Sequence, residues 1–207
     1  MRKSAKAVTG DVLKRLLATC HTDSLKDLRD RAILMVAFAS GGRRRSEVAG
    51  LRKEQLTVEA PVPVDGGVQL PSLSIHLGRT KTSGGDNDEV VYLTGRPVEA
   101  LNTWMAAARI ERGSVFRGID RWGNVSQRAL DPKATNDIVK QRALLAGLDP
   151  AEFSAHGLRS GYLTEAANRG IPLPEAMEQS RHRSVQQASE YYNSATRRSG
   201  RAARLMD

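Results

Sequence analysis

Between two long blocks of helical periodicity, the sequence changes its period once. The stretches "QLTVEA", "LSIHLGRT" and "DEVVYLT" are short β-branched runs separated by "PVPVDGG" and "KTSGGDN". Runs of that length between Gly-, Pro- and Asp-rich spacers have the pattern of neighbouring antiparallel strands, so the interruption predicts a small three-stranded sheet. The flanks keep the helical period. "TGDVLKRLLATC" places Val12, Leu13, Leu16 and Leu17 on one face behind Thr9 as N-cap candidate. "SLKDLRDRAILMVAFAS" predicts a longer helix that stops at Gly41-Gly42, and "SEVAGL" opens a third with Ser46 and Glu47 in its first turn. "RPVEALNTWMAAARI" starts with Pro97 near its first position. Three more helical stretches follow, "PKATNDIVKQRALLAG", "AHGLRSGYLTEAANRG" and "PEAMEQSRH", then a "SVQQASEYYN" turn and an arginine-rich tail. The expected fold is α+β, mainly helical, with one small antiparallel sheet.

A chain of 207 residues, 40% hydrophobic, has enough apolar surface for one well-packed domain. With only 4% aromatic residues, its core must be built from Leu, Val, Ile and Ala. The formal charge is +9 and the sequence pI about 10.1, a balance that suits a polyanionic partner. Cys20 is the single cysteine, which excludes an internal disulfide and a Cys-rich zinc site and fits a reducing, cytoplasmic compartment. "MRKSAKAVTG" has no apolar run behind its charges and is not a signal peptide. The most apolar run, Ala32 to Ala39, falls well short of the about 20 residues a bilayer span needs, so a soluble protein without a membrane partner is expected.

Several constellations could carry chemistry. In "GGRRRSEVAGL", Arg44 stands three residues before Glu47, so a chain turn and a carboxylate can position a fork that binds phosphate oxygens in pairs. "GRTKTSGGDNDE" lacks the order of a nucleotide-phosphate loop and lies between strands, which leaves Lys81 as a hairpin lysine able to reach into a bound duplex. "HGLRSG" puts His156 and Arg159 on one face of a helix start, off the apolar stripe of Leu158, Leu163 and Ala166. His182 lies between two arginines, with Tyr191 and Tyr192 downstream. The four histidines show no zinc-ligand spacing, and neither a catalytic carboxylate pair nor a nucleophile elbow is present. If "SVQQASEYY" is helical, Val185, Ala188 and Tyr192 form a core stripe, and Tyr191 is rotated by about 100° toward the polar side.

In this order, the pieces resemble the catalytic domain of the tyrosine recombinases, the phage-integrase family. That pattern has Arg-x-x-Glu after a helix, a hairpin lysine, His-x-x-Arg, and a histidine followed nine residues later by a tyrosine. Arg44 and Glu47, Lys81, His156 and Arg159, His182 and Tyr191 fill it, over nearly the whole chain. There are departures: Arg181 stands where the family usually has Gly, and Arg43 where an apolar residue is common. The resemblance implies a catalytic domain over residues 1–193 and a basic tail over 194–207 that packs on a neighbouring protomer. The family's N-terminal DNA-clamping domain is expected to be absent.

The resemblance also implies a site-specific recombinase of double-stranded DNA, monomeric in isolation and self-associating on DNA, cytoplasmic and nucleoid-associated, with neither metal nor cofactor. Tyr191 would attack a backbone phosphorus and form a 3′-phosphotyrosyl bond. Arg44 and Arg159 would hold the non-bridging oxygens, His156 would act as base, Lys81 as acid, and His182 would hydrogen-bond the phosphate, with Glu47 supporting. Arg43, Arg45, Arg79, Arg181 and Arg183 are expected DNA contacts. Two other readings stay open: a type IB topoisomerase-like enzyme that rejoins the same strand, and a catalytically silent helical DNA-binding protein.

Overall fold

The computed structural model describes residues 6–77, 89–182 and 184–199, except the side chains of 193–199. Helix α1 (Gly10–Ala18) follows Thr9 and buries Leu13 and Leu16. The longer α2 (Leu25–Ala39) is capped by Ser24, whose side chain accepts the N–H of Asp27. It runs through the core with Ile33, Leu34 and Val36 buried, packed against α4 (Arg96–Ala107). Short α3 (Arg45–Ala49) follows a double-glycine turn. Strands β1 (Leu56–Pro63), β2 (Gln69–His76) and β3 (Val90–Thr94) form the expected antiparallel sheet in the order β1-β2-β3. Leu73, Ile75, Val91 and Leu93 cover the core, while Val58 and Tyr92 are exposed.

Downstream of α4, a two-stranded antiparallel hairpin appears that the periodicity did not predict, β4 (Arg117–Ile119) with β5 (Val125–Ala129). It leads into α5 (Pro132–Leu145), capped by Asp131, and then come α6 (Ala155–Asn168), α7 (Leu173–Ser180) and α8 (Val185–Ser199). The last stretch is thus a helix, not a turn, and it continues across the boundary expected after residue 193. Two apolar clusters result. The main one centres on Trp104, whose indole N–H donates to the Val115 carbonyl at 2.9 Å. A smaller one joins α6, α7 and α8 through Leu163, Ala166, Ala176 and Ala188.

A charged cluster fastens the first half of α2. Arg142, 3% exposed on α5, donates to Asp27 and Asp30 at 2.7 Å each and to the Thr19 carbonyl at 2.9 Å. Arg29 takes the other oxygen of Asp30 at 2.8 Å. Burial alone would raise the pKa of Asp27, but hydrogen bonds from Thr22 and Arg142 bring it down to about 2. The nearby Cys20 thiol is pushed up to about 11, chiefly by burial, and stays protonated at neutral pH.

Candidate active site

Three chain turns meet at the far end of α2. In the first, Gly41 and Gly42 adopt φ of +87° and +70°, where a side chain would be strained. They also permit close approach: a Cβ on Gly41 would stand 2.2 Å from the Ser180 Cα, and one on Gly42 2.2 Å from the Arg159 Cα. The turn is therefore pressed against α6 and the end of α7. Arg43 then points inward, 7% exposed, with Nε donating to the Ser40 carbonyl at 2.9 Å and Nη2 to the Gln179 carbonyl at 3.0 Å. Arg43, expected as a DNA contact, is thus largely turned inward, with Nε and Nη2 engaged by main-chain oxygens, while it still borders the cavity described below. Arg44 is exposed at the N-cap of α3. Glu47 accepts its main-chain N–H at 3.0 Å and stands 3.9 Å from Arg43, so it shapes the turn that presents Arg44. Arg45 is half-buried in the first position of α3.

The second turn is the start of α6. Backbone contact with the segment before α1 fixes its height, Val8 N–H donating to the Gly157 carbonyl at 2.8 Å. His156 is exposed and Arg159 half-buried, with Arg159 Nη1 donating to the carbonyls of Gly42 at 3.3 Å and Ser180 at 2.9 Å. The third turn follows α7. Arg181 adopts left-handed φ and ψ of 54° and 41°, which accounts physically for the glycine usual there in the family. Its guanidinium pairs with Glu89 at the start of β3, at 2.6 Å. Gln179 adds a bond to the Tyr92 carbonyl at 2.6 Å, so the sheet and this turn are held together. His182 follows, its Nδ1 2.7 Å from the Ser180 hydroxyl.

A cavity of about 840 Å³ opens where the turns meet, lined by Arg43, Arg44, Glu47, Arg159, Arg181 and His182 among others. Burial first, then the charges of Arg43 and Arg44, hold Arg159 down to about 10, partly offset by Glu47 and Tyr191. Burial and then Arg159, Arg43, His156 and Arg44 depress His182 to about 4, so it is neutral at neutral pH. The site is electropositive and half-desolvated, an environment that a bound anion relieves.

The tyrosines lie on α8. Ala188 is buried, but Val185 is 61% exposed, so the expected stripe of Val185, Ala188 and Tyr192 does not form as such. Instead Tyr191 packs beside Ala188 on the Leu163 cluster, within electrostatic reach of Arg159. Tyr192 donates its hydroxyl to the Ile171 carbonyl, which anchors the helix. Neither Tyr191 nor His156 lines the cavity itself. Lys81, Arg79 and Arg183 lie outside the described residues, as does the end of the basic tail. Among the described residues, no group of three or more His, Cys, Asp or Glu could hold a metal, and no helix is long and apolar enough to cross a membrane.

Sequence reasoning missed three participants: Ser180, Gln179 and Glu89. Each acts through a hydrogen bond or ion pair to a residue distant in sequence or through a main-chain carbonyl, and no local pattern marks such a role.

Comparison with known proteins bears on the family and the fold. The model of the phage integrase family matches residues 6–198. The chain is 32% identical over 175 residues to an integrase/recombinase XerD homolog of Selenomonas ruminantium, covering 82% of this chain and 48% of that protein. It is 32% identical over 188 residues to tyrosine recombinase XerD of Xanthomonas axonopodis pv. citri, covering 83% and 53%. The chain thus spans about half the length of the curated relatives it matches. Among solved structures, the XerH site-specific recombinase in a post-cleavage complex with palindromic difH substrate superposes with a TM-score of 0.69 at 20% identity, over 98% of this chain and 54% of that one. XerA recombinase superposes with a TM-score of 0.68 at 19% identity, over 100% and 67%. These structural likenesses concern the fold; together with the family match over nearly the whole sequence, they lead to one conclusion. The chain belongs to the phage integrase family of tyrosine recombinases.

Proposed function

We propose that this chain carries the strand-cleaving and strand-joining centre of a site-specific DNA recombinase. The observation that carries the reading is the meeting of Arg44, Arg159 and His182 around one cavity, with the Gly41-Gly42 turn packed against the other two segments. A backbone phosphate in that cavity would meet the forks of Arg44 and Arg159 on its non-bridging oxygens. It would also accept a hydrogen bond from the neutral His182 imidazole, whose Nδ1 is already engaged by Ser180.

The reaction is a transesterification. The Tyr191 hydroxyl attacks phosphorus and its proton passes to a base, for which His156 is the candidate. The new phosphorus–oxygen bond forms as the bond to the 5′-oxygen breaks, and Lys81 supplies the proton that the 5′-oxygen takes up. Joining is the reverse with a new 5′-hydroxyl. The phosphodiester energy stays in the covalent link, so no ATP is needed, and the two arginines take the charge-neutralising part. A free phenol, with a pKa of about 10, is a poor nucleophile near neutrality, which is why the step needs a base. Tyr191 suits this role better than Tyr192, whose hydroxyl is committed to the Ile171 carbonyl.

We infer further that the protein works on nucleoid DNA in the cytoplasm and is a monomer until several copies assemble on that DNA, with the segment after Asn193 packing on a neighbour. Removing that segment should weaken cooperative binding to two-site DNA and spare binding to one site in a gel-shift titration. The chemistry itself is tested with nicked suicide duplexes, which trap covalent intermediates. Peptide mapping of the trapped complex should find the nucleotide on Tyr191. A protein that binds the duplexes yet leaves no covalent product would be a silent DNA-binding protein, and modification at Tyr192 would overturn the assignment.

A further inference from the structure

The β4–β5 hairpin has no part in the reaction above, yet its tip is well ordered by its own bonds. Asp120 accepts the main-chain N–H groups of Trp122 and Asn124 at 2.8 and 2.9 Å and the Asn124 amide at 2.9 Å. Gly123, at φ +87°, closes the turn. This fixed loop exposes a large apolar side chain, with 71% of Trp122 open to solvent. The Arg121 guanidinium carbon lies 4.0 Å from the centre of the Trp122 ring. A guanidinium stacked on an indole keeps its charge and its in-plane N–H donors, and it loses less freedom when it meets an anion.

The hairpin is also tied by backbone bonds to segments that lead to the cavity. Its first strand follows a segment paired with the chain just after α3, where Lys53 N–H donates to the Gly113 carbonyl and Val115 N–H to the Leu51 carbonyl, both at 2.8 Å. Its second strand runs through Leu130 and Asp131 into α5, and Asn136 near the start of α5 accepts the N–H of Ala155, the first residue of α6, at 3.1 Å. The helix start that carries His156 is thus joined to the hairpin through the first turns of α5. Arg128 and Lys133 add exposed cations on the way from the tip to α6. Of the acids here, Asp120 is engaged in the turn and Asp131 as the cap accepting Lys133 N–H at 2.7 Å, while Asp137 stands exposed further along α5.

We propose that the Arg121–Trp122 tip is a second DNA contact outside the cleavage cavity. Arg121 grips a backbone phosphate of the flanking duplex, and the Trp122 ring lies against the adjoining deoxyribose. The proposal rests on the reading that DNA occupies the cavity. A second copy of the chain is the other conceivable occupant, but the patch is a single indole among cations in a protein of charge +9, which complements a polyanion rather than itself.

The two tryptophans make a direct test possible. Trp104 is fully buried, so acrylamide quenches chiefly Trp122, and Trp122→Phe identifies that component. With a random-sequence duplex several helical turns long at low salt, bound DNA should lower the acrylamide quenching of Trp122 at least about threefold, as a covered ring requires. Arg121→Ala should weaken affinity for the same duplex by about tenfold and reduce the slope of log affinity against log salt by about one. Quenching unchanged in a complex that a gel shift shows to be formed would overturn the proposal. So would protection that appears only when a second protein copy joins, or an Arg121→Ala variant with unaltered affinity and salt slope. Protection of Trp122 in a protein that traps no covalent adduct on nicked suicide duplexes carrying its recombination site would instead refute cleavage and leave the hairpin contact standing.

Discussion

The two ends of α2 are both held by arginines, and they differ in what those arginines meet. Near its start, Arg142 and Arg29 grip Asp27 and Asp30, charge against charge, with donors and acceptors matched at 2.7–3.0 Å. Burial pulls the Arg142 pKa down, but the bonds and charge of Asp30 and the bond from Asp27 more than offset it, and the net shift is upward. Past its end, Arg43 and Arg159 donate to main-chain carbonyls, and Arg159 falls to about 10 under burial and the charge of its neighbours. One centre brings its own counter-charge and is finished when the chain folds. The other tolerates a partly desolvated positive charge, which costs stability unless an anion arrives. On the proposed function, the difference separates a structural ion cluster from one left for a phosphate.

Breaking the balanced end should have the largest effect on stability. Arg142→Ala leaves Asp27 and Asp30 buried with a lost partner and should cost about 3–5 kcal/mol, read from denaturant unfolding. At the other end, Arg44→Ala and Arg159→Ala should each cost on the order of 3 kcal/mol of transition-state stabilisation in single-turnover adduct formation. Their affinity for DNA should change far less, because their contacts tighten as charge grows at phosphorus. Arg43→Ala belongs to a third kind: it should lower stability by leaving the Ser40 and Gln179 carbonyls unmet. Equal, mild losses of affinity at Arg43, Arg44 and Arg45 would show the triple arginine to be only a basic patch.

Gly42→Ala sharpens the comparison with a smaller change. The left-handed φ and the contact with Arg159 should cost about 1–3 kcal/mol, and displacement of Arg159 should slow adduct formation while the Arg142 cluster is untouched. The smallest effect concerns pH. His182 titrates at about 4 when folded against 6.5 for a free imidazole, so between these values the unfolded chain binds more protons and stability falls as pH is lowered. His182→Gln should flatten that slope in thermal melts. The contribution of Asp27, shifted from 3.8 to about 2, is lost only at lower pH and should remain.

The helices and the three-stranded sheet were legible because hydrophobic period and turn residues are local signals. The β4–β5 hairpin was not: its Asp120 turn is held by side-chain bonds, and β5 is largely exposed, so no alternation marks it. The order of Arg44, His156, Arg159, His182 and Tyr191 was readable as a pattern, but the inward turn of Arg43 was not. Arginine reads as a surface residue until a fold supplies carbonyls for its donors. The helical-wheel argument for Tyr191 placed the stripe wrongly, since Val185 begins α8 and is exposed among the described residues. What supports Tyr191 over Tyr192 is tertiary, the bond from Tyr192 to Ile171.

The most direct measurement compares Arg142→Lys with Arg159→Lys, which keep the charge and remove the planar fork. Both unfolding free energy and single-turnover adduct formation are measured for each, at a temperature where both are folded. Arg142→Lys should lose about 2 kcal/mol or more of stability, since an ammonium cannot serve Asp27, Asp30 and Thr19 together, and should cleave at the wild-type rate. Arg159→Lys should stay within about 1.5 kcal/mol of the wild-type stability and lose about 100-fold or more in rate. An Arg159→Lys variant that cleaves normally, or an Arg142→Lys variant that is stable but inactive, would contradict the division of α2 into a structural end and a phosphate-binding end.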